Sequence, residues 1–160
     1  HLAPLLIDAD GLYGLDLAPL RDRATPAVLT PHPGELSRLT GLSVETLSQD
    51  RVEQARRLAS AWQVVLVLKG AATVVASPKG QVFINPTGDA GLASGGTGDV
   101  LSGVIGGFLA QGLAPLPATL LGVYLHGLAR DCQREELTSA SFTAHDLVQG
   151  LNLALRQLGG

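Results

Sequence analysis

The chain has 160 residues, of which 46% are apolar and 16% charged, and a formal charge of −3; its mean hydropathy is +0.27. That composition can offset the entropy of ordering, which excludes an intrinsically disordered chain, and the length supports a buried core without disulfides or a structural metal. The 11 Lys and Arg and 14 Asp and Glu form no basic cluster, so nucleic acid and acidic membranes are excluded as expected partners. A single cysteine, Cys132, has no partner within the chain, which fits a reducing, cytoplasmic compartment. The chain opens on His1-Leu2-Ala3 and contains no Met, so it reads as a piece of a longer protein.

Taken in chain order, Leu5-Leu6-Ile7 is an apolar run ending in Asp8-Ala9-Asp10-Gly11, and Ala27-Val28-Leu29 is a second, ending in Thr30-Pro31-His32-Pro33-Gly34-Glu35. Val64 to Leu68 is a third, closing on Lys69-Gly70. Runs apolar on both faces are what the strands of a helix-covered parallel sheet require. From about Asp50 to Trp62 the apolar residues Val52, Ala55, Ala59 and Trp62 share one helical stripe, with Arg51, Glu53, Arg56 and Arg57 mostly off it, which predicts a βαβ crossover. Thr73 to Ala76 and Gln81 to Ile84 flank Ser77-Pro78-Lys79-Gly80 and predict a hairpin at the end of the sheet order. Asn85 to Asp99 is too rich in Gly for regular structure and runs directly into a predicted helix from Val100 to Gln111. Between Asp99 and Arg130 no side chain is formally charged. Gly112, Pro115 and Pro117 divide that span into two buried helices rather than one membrane helix. The second runs from Pro117 to about Glu135, and a last helix from Thr143 to Leu158 is capped by Thr143 with Asp146 and stopped by Gly159.

Ligands of an open parallel sheet bind beyond the carboxyl ends of its strands. Asp8 and Asp10, His32 and Glu35, and Lys69 each follow an apolar run, so the strand directions bring three chemically active clusters to one edge. Gly95-Gly96-Thr97-Gly98-Asp99 adds an anion site, because unpaired amides at a helix N-terminus carry partial positive charge and glycines admit phosphate oxygens. Two nucleotide fingerprints fail: Thr97 stands where a Walker lysine belongs, and Leu101 holds the third glycine position of the Rossmann pattern. A carboxylate at Asp99 would repel a phosphate unless it had a task such as accepting a proton from an attacking hydroxyl. His126 and His145 have no partner in the sequence and are read as structural.

Gly95 to Gly103 resembles the glycine-rich anion-hole motif of the ribokinase-like superfamily, whose aspartate is the catalytic base. Within it the chain is most similar to the ADP/ATP-dependent NAD(P)H-hydrate dehydratases, through Thr30-Pro31-His32-Pro33-Gly34-Glu35, Lys69-Gly70-Ala71-Ala72-Thr73 and Asn85 through Gly95. Kinases of this fold usually carry Asn where His32 stands. The resemblance implies an α/β fold of αβα layers, a mostly parallel sheet flanked by helices, with residues 1–160 forming a ribokinase-like domain that lacks its N-terminal strands and pocket loops. It implies that His32 and Asp99 contact the hydrated nicotinamide nucleotide, with Asp99 as catalytic base. Lys69, Gly70, Ala71, Ala72 and Thr73, together with Gly95, Gly96, Thr97 and Gly98, would hold ADP or ATP, and Glu35 would order Mg²⁺ through water. The implied reaction phosphorylates the ring hydroxyl of hydrated NADH or NADPH and expels phosphate, restoring the reduced nucleotide. Also implied are a homo-oligomer and an epimerase domain upstream in the parent chain. The family usually reads Asp-Ala-Asp-Ala-Leu-Asn where this chain has Asp8-Ala9-Asp10-Gly11-Leu12-Tyr13. Two alternatives stay open at this point: a kinase of the same fold acting on a hydroxymethylpyrimidine, hydroxyethylthiazole or sugar, and a non-catalytic nucleotide-binding module.

Overall fold

The computed structural model describes residues 3–159. Its core is a five-stranded sheet in the order β1 (Leu6–Ile7), β2 (Val28–Leu29), β3 (Val65–Leu68), β4 (Val74–Ala76) and β5 (Val82–Ile84). The first three strands are mutually parallel, with Ile7 beside Leu29 and Leu29 beside Leu66. β4 is antiparallel to both of its neighbours, so β5 again shares the direction of the first three. The predicted mostly parallel sheet and terminal hairpin are both present, and β1 is the edge strand opposite the hairpin.

Alternation along the strands sends side chains to two different cores. Leu29, Leu66 and Leu68 pack with Leu36, Leu47 and with Ala55, Leu58, Ala59 and Trp62 on one face. Val28, Val65, Val67 and Val75 pack with Leu101, Ile105, Leu109, Ala118 and Val123 on the other. Helices α2 (Pro33–Thr40), α3 (Val44–Gln49) and α4 (Arg51–Trp62) follow β2, and α5 (Thr97–Ala110) and α6 (Pro115–Asp131) cover the valine face. α7 (Ala144–Gln157) closes a third cluster with α6 through Leu125, Leu128, Ala129, Phe142, Leu147 and Ala154. A one-turn helix α1 (Ala18–Arg21) lies between β1 and β2. Three layers result, helix on sheet on helix, which is the αβα arrangement expected.

Several boundaries move for local reasons. α6 begins at Pro115, because proline lacks only an amide that would be unpaired in a first turn anyway. It ends at Asp131, short of Glu135, where the bonds from Gln133 N–H to Arg130 O and from Arg134 N–H to Asp131 O tighten the chain into turns. The Thr143 cap is reciprocal: its hydroxyl accepts from Asp146 N–H while the Asp146 carboxylate accepts from Thr143 N–H. Gly159 follows with φ of +90°, consistent with its role as a stop. Among the described residues no helix is long and apolar enough to cross a membrane.

Candidate functional site

The carboxyl ends of β1, β2 and β3 deliver Asp8, the Thr30–Glu35 segment and Lys69 to one place. Lys69 N–H donates to Pro31 O at 3.0 Å, which ties the second and third of these segments together. The Lys69 ammonium lies 2.9 Å from Asp8 Oδ1 and 3.6 Å from Glu35 Oε2, so a carboxylate just after β1 and one in the first turn of α2 share one cation. Ser102, one turn into α5, donates to Asp8 Oδ2 at 2.6 Å. Asp8 thereby links the sheet edge to the helix that follows the glycine turn.

Burial is the largest single influence on Asp8 and pushes its carboxyl up. Hydrogen bonds from Ser102, Lys69 and Thr30, with the Lys69 charge, outweigh it and hold the group below the ordinary carboxylate value. A lowered folded value stabilises the protein above the unfolded value of about 3.9 and is lost as pH falls through the folded one. Asp8→Asn is therefore expected to flatten the fall of Tm with acidification below about pH 4, measured by thermal denaturation across a pH series. An unchanged slope would show that the Asp8 network does not contribute.

His32 caps α2. Its Nδ1 accepts from the amides of Gly34 at 3.0 Å and Glu35 at 3.3 Å, and Glu35 Oε2 accepts from His32 N–H at 2.7 Å. Because Nδ1 accepts, the hydrogen-bond network assigns the proton of a neutral ring to Nε2, which is left 3.5 Å from Glu35 Oε1 on a half-exposed side chain. The Pro-Gly-Glu helix start and the histidine at the sheet edge are thus one structure: the cap orients the ring and sets its Nε2 beside the Glu35 carboxylate.

The glycine turn is held from behind. Gly96, with φ of +84°, is the N-cap of α5, a backbone conformation that disfavours any side chain. Thr97 is buried and its hydroxyl lies 2.7 Å from Leu92 O and 2.8 Å from Ser94 O, so it faces inward. The amides of Gly98 and Asp99 have no acceptor among the described residues, as expected for a first helical turn. Asp99 is exposed at that turn and its side chain makes no hydrogen bond or ion pair with a described residue. A Cβ built on Gly98 would stand 3.4 Å from Lys69 Nζ, which places the glycine turn directly against the Asp8–Lys69–Glu35 cluster.

α6 supplies the backing. His126, buried in α6, makes a 2.8 Å hydrogen bond between Nε2 and Thr97 O; burial pushes its ring below the ordinary imidazole value. His126, read from the sequence as structural, is buried and holds the first residue of α5 in place through the Thr97 carbonyl. Upstream, Thr87 Oγ1 donates to Tyr124 O at 3.0 Å, and Gly88 N–H donates to Asp131 Oδ2 at 3.0 Å. Arg130 Nε lies 2.8 Å from Asp89 Oδ1. The segment from Asn85 to Ser94 is therefore strapped along α6 and cannot shift the turn freely.

The structure gathers Asp8, His32, Glu35, Lys69 and Gly98, and places Gly95, Gly96, Thr97 and Asp99 on the adjoining turn. Gly70, Ala71 and Ala72 form the exposed turn after Lys69, and the partly buried Thr73 closes it. Asp10 and His145 are exposed and outside these contacts, and Tyr13 is 82% exposed. Ser102 carries no signal in the sequence for its bond to Asp8, from which it is separated by most of the chain. The helical pattern places Arg51 off the buried stripe, whereas Arg51 reaches the turn after Lys69.

A mostly parallel sheet covered by helices on both faces, with a shared cation, two carboxylates and a glycine-capped helix N-terminus at its carboxyl edge, places the chain in the ribokinase-like fold class. Residues 1–152 match the family model described as NAD(P)H-hydrate dehydratase, and the chain belongs to that family. The bifunctional NAD(P)H-hydrate repair enzyme Nnr of Moorella thermoacetica is 48% identical over 157 residues, covering 97% of this chain and 30% of that protein. Among solved structures, the ADP/ATP-dependent NAD(P)H-hydrate dehydratase of Bacillus subtilis, co-crystallised with ATP/Mg²⁺, matches with a TM-score of 0.90 and 40% identity. That match covers 96% of this chain and 55% of that one. A ribokinase-like superfamily protein of Enterococcus faecalis matches with a TM-score of 0.75 and 32% identity, covering 96% of this chain and 52% of that one. The chain thus spans about half of these solved relatives and under a third of the Moorella protein.

Proposed function

We propose that this chain carries the nucleotide-binding and catalytic half of an ADP- or ATP-dependent dehydratase that returns hydrated NADH or NADPH to the reduced nucleotide. The observation that carries this reading is Lys69: one ammonium bridges Asp8 and Glu35 and stands where a side chain on Gly98 would meet it, so the turn after β3 and the start of α5 lie side by side. Lys69 to Thr73 and Gly95 to Gly98 hold the adenine nucleotide and its phosphates, with the free amides of α5 facing negative charge. Asp99, beside those amides, takes the proton of the ring hydroxyl as it attacks. His32, oriented by its cap, contacts the hydrated nicotinamide nucleotide.

The residues fit Mg²⁺ of a particular kind. Among the described residues no three His, Cys, Asp or Glu side chains form a metal-holding group. One hard carboxylate at Glu35 suits an ion held chiefly by phosphate oxygens and water. Bound there, Mg²⁺ supplies charge neutralisation on the transferring phosphoryl group. The same reading includes a cytoplasmic location, self-association of the chain and an epimerase domain upstream in the parent protein.

The test is regeneration of reduced-nicotinamide absorbance from the hydrate by the full-length protein with Mg²⁺ and ADP or ATP. Regeneration coupled to phosphate release is the expected result. A stable phosphorylated alcohol would instead make the protein a kinase of the same fold, and nucleotide-dependent thermal stabilisation without turnover would make it a binding module.

A further inference from the structure

We propose that Arg51, the first residue of α4, is the positioning residue of the nucleotide turn. By taking that turn's carbonyl oxygens, it leaves the amides of Gly70, Ala71 and Ala72 free as an oxyanion cradle for a nucleoside diphosphate. This rests on the nucleotide reading given above.

The guanidinium makes three hydrogen bonds to one stretch of backbone: Nη1 donates to Ala71 O at 2.6 Å, and Nη2 to Leu68 O at 3.1 Å and Lys69 O at 3.2 Å. The remaining carbonyl of the stretch, Gly70 O, accepts from Thr73 Oγ1 at 3.1 Å. All four carbonyls from Leu68 to Ala71 are therefore occupied. The amides of Gly70, Ala71 and Ala72 have no acceptor among the described residues, and all three residues are exposed. Successive unpaired amides in a bent backbone are the makings of an anion-binding concavity. Gly70 adopts φ of +138°, and a Cβ there would stand 2.9 Å from Arg51 Nη2, so turn and guanidinium are fitted to one another.

Stability alone does not account for this arginine. A cation in the first turn of a helix opposes the helix dipole. Arg51 Nε is buried with no hydrogen-bond partner among the described residues, which carries a desolvation cost. No carboxylate pairs with Arg51 among the described residues. Lys69 is already shared between Asp8 and Glu35, so Arg51 is the cation beside the turn whose charge is not compensated. That charge is placed where incoming phosphates require one.

The test is calorimetric titration of the full-length protein with ADP and Mg²⁺, in the wild type and in Arg51→Met, Arg51→Lys and Arg51→Ala. Arg51→Met is expected to weaken ADP binding by about tenfold or more, the scale of losing charge-assisted hydrogen bonds. Arg51→Lys is expected to weaken it as well, because one ammonium cannot span three carbonyls, and it carries the test if the Met variant fails to fold. In Arg51→Ala, added guanidinium ion restores affinity where tetramethylammonium at equal ionic strength does not. Unchanged ADP affinity with a lowered Tm would overturn the assignment, making Arg51 a stabilising residue only. Absence of wild-type binding would remove the nucleotide reading itself, and this assignment with it.

Discussion

Replacing Asp99 by Asn is expected to lower the rate of reduced-nicotinamide regeneration by roughly 10²–10⁴-fold, the range associated with loss of a positioned general base. The side chain is isosteric and sits in the first turn of α5, making no hydrogen bond or ion pair with a described residue. Fold and ADP affinity should therefore survive the change. Kinetic assay beside nucleotide titration separates the cases: lost turnover with retained binding supports a base at Asp99. Turnover unaffected by the substitution would remove it from the chemistry.

A second large effect is expected far from the reacting groups. Arg130 is 1% exposed and pairs with Asp89 through Nε. It also donates to Leu137 O and Ser139 Oγ and lies 4.7 Å from the centroid of the Phe142 ring. Asp89→Ala strands a buried guanidinium beside a loop it was holding, at a cost of about 3 kcal/mol, the lower part of the range for broken buried pairs because the other acceptors persist. For a chain of this length that corresponds to a drop in Tm of roughly 10 °C by differential scanning calorimetry. A cost under about 1 kcal/mol would class the pair with exposed surface ion pairs instead. Because Asp89 lies on the strap that leads to Gly95, the same variant should bind ADP more weakly even where it is fully folded.

Much of this architecture was legible in the sequence for a simple reason. Val64 to Leu68 is apolar at every position, rich in β-branched residues and closed by Lys69-Gly70, a pattern that suits a strand covered on both faces. The parallel order then placed Asp8, Glu35 and Lys69 at one edge, where the ion pairs are found. α3, with six residues from Val44 to Gln49, was not legible, since so short a helix shows less than two turns of periodicity. Its Ser43 cap and buried Leu47 are signals only in retrospect.

The candidate site divides along the same line. Residues at strand ends and in the Gly95–Asp99 turn were visible, because the motif and the position coincide. Ser102, Arg51 and His126 were not, because each acts through a contact that the packing of α4, α5 and α6 against the sheet creates. Arg51 lies off the apolar stripe of its helix and so reads as solvated; the helix N-terminus brings it beneath the turn after β3. His126 on an apolar helix reads as a core residue, and that reading is correct in burial while silent about Thr97.

The most direct test of the account is nuclear magnetic resonance of the backbone amides during titration with ADP and Mg²⁺. If the turn after Lys69 and the glycine turn border one nucleotide, the amides of Gly70, Ala71 and Ala72 and those of Gly95, Gly96 and Gly98 shift together along a single saturating curve. Shifts confined to one of the two turns, or two curves with different midpoints, would contradict a shared site.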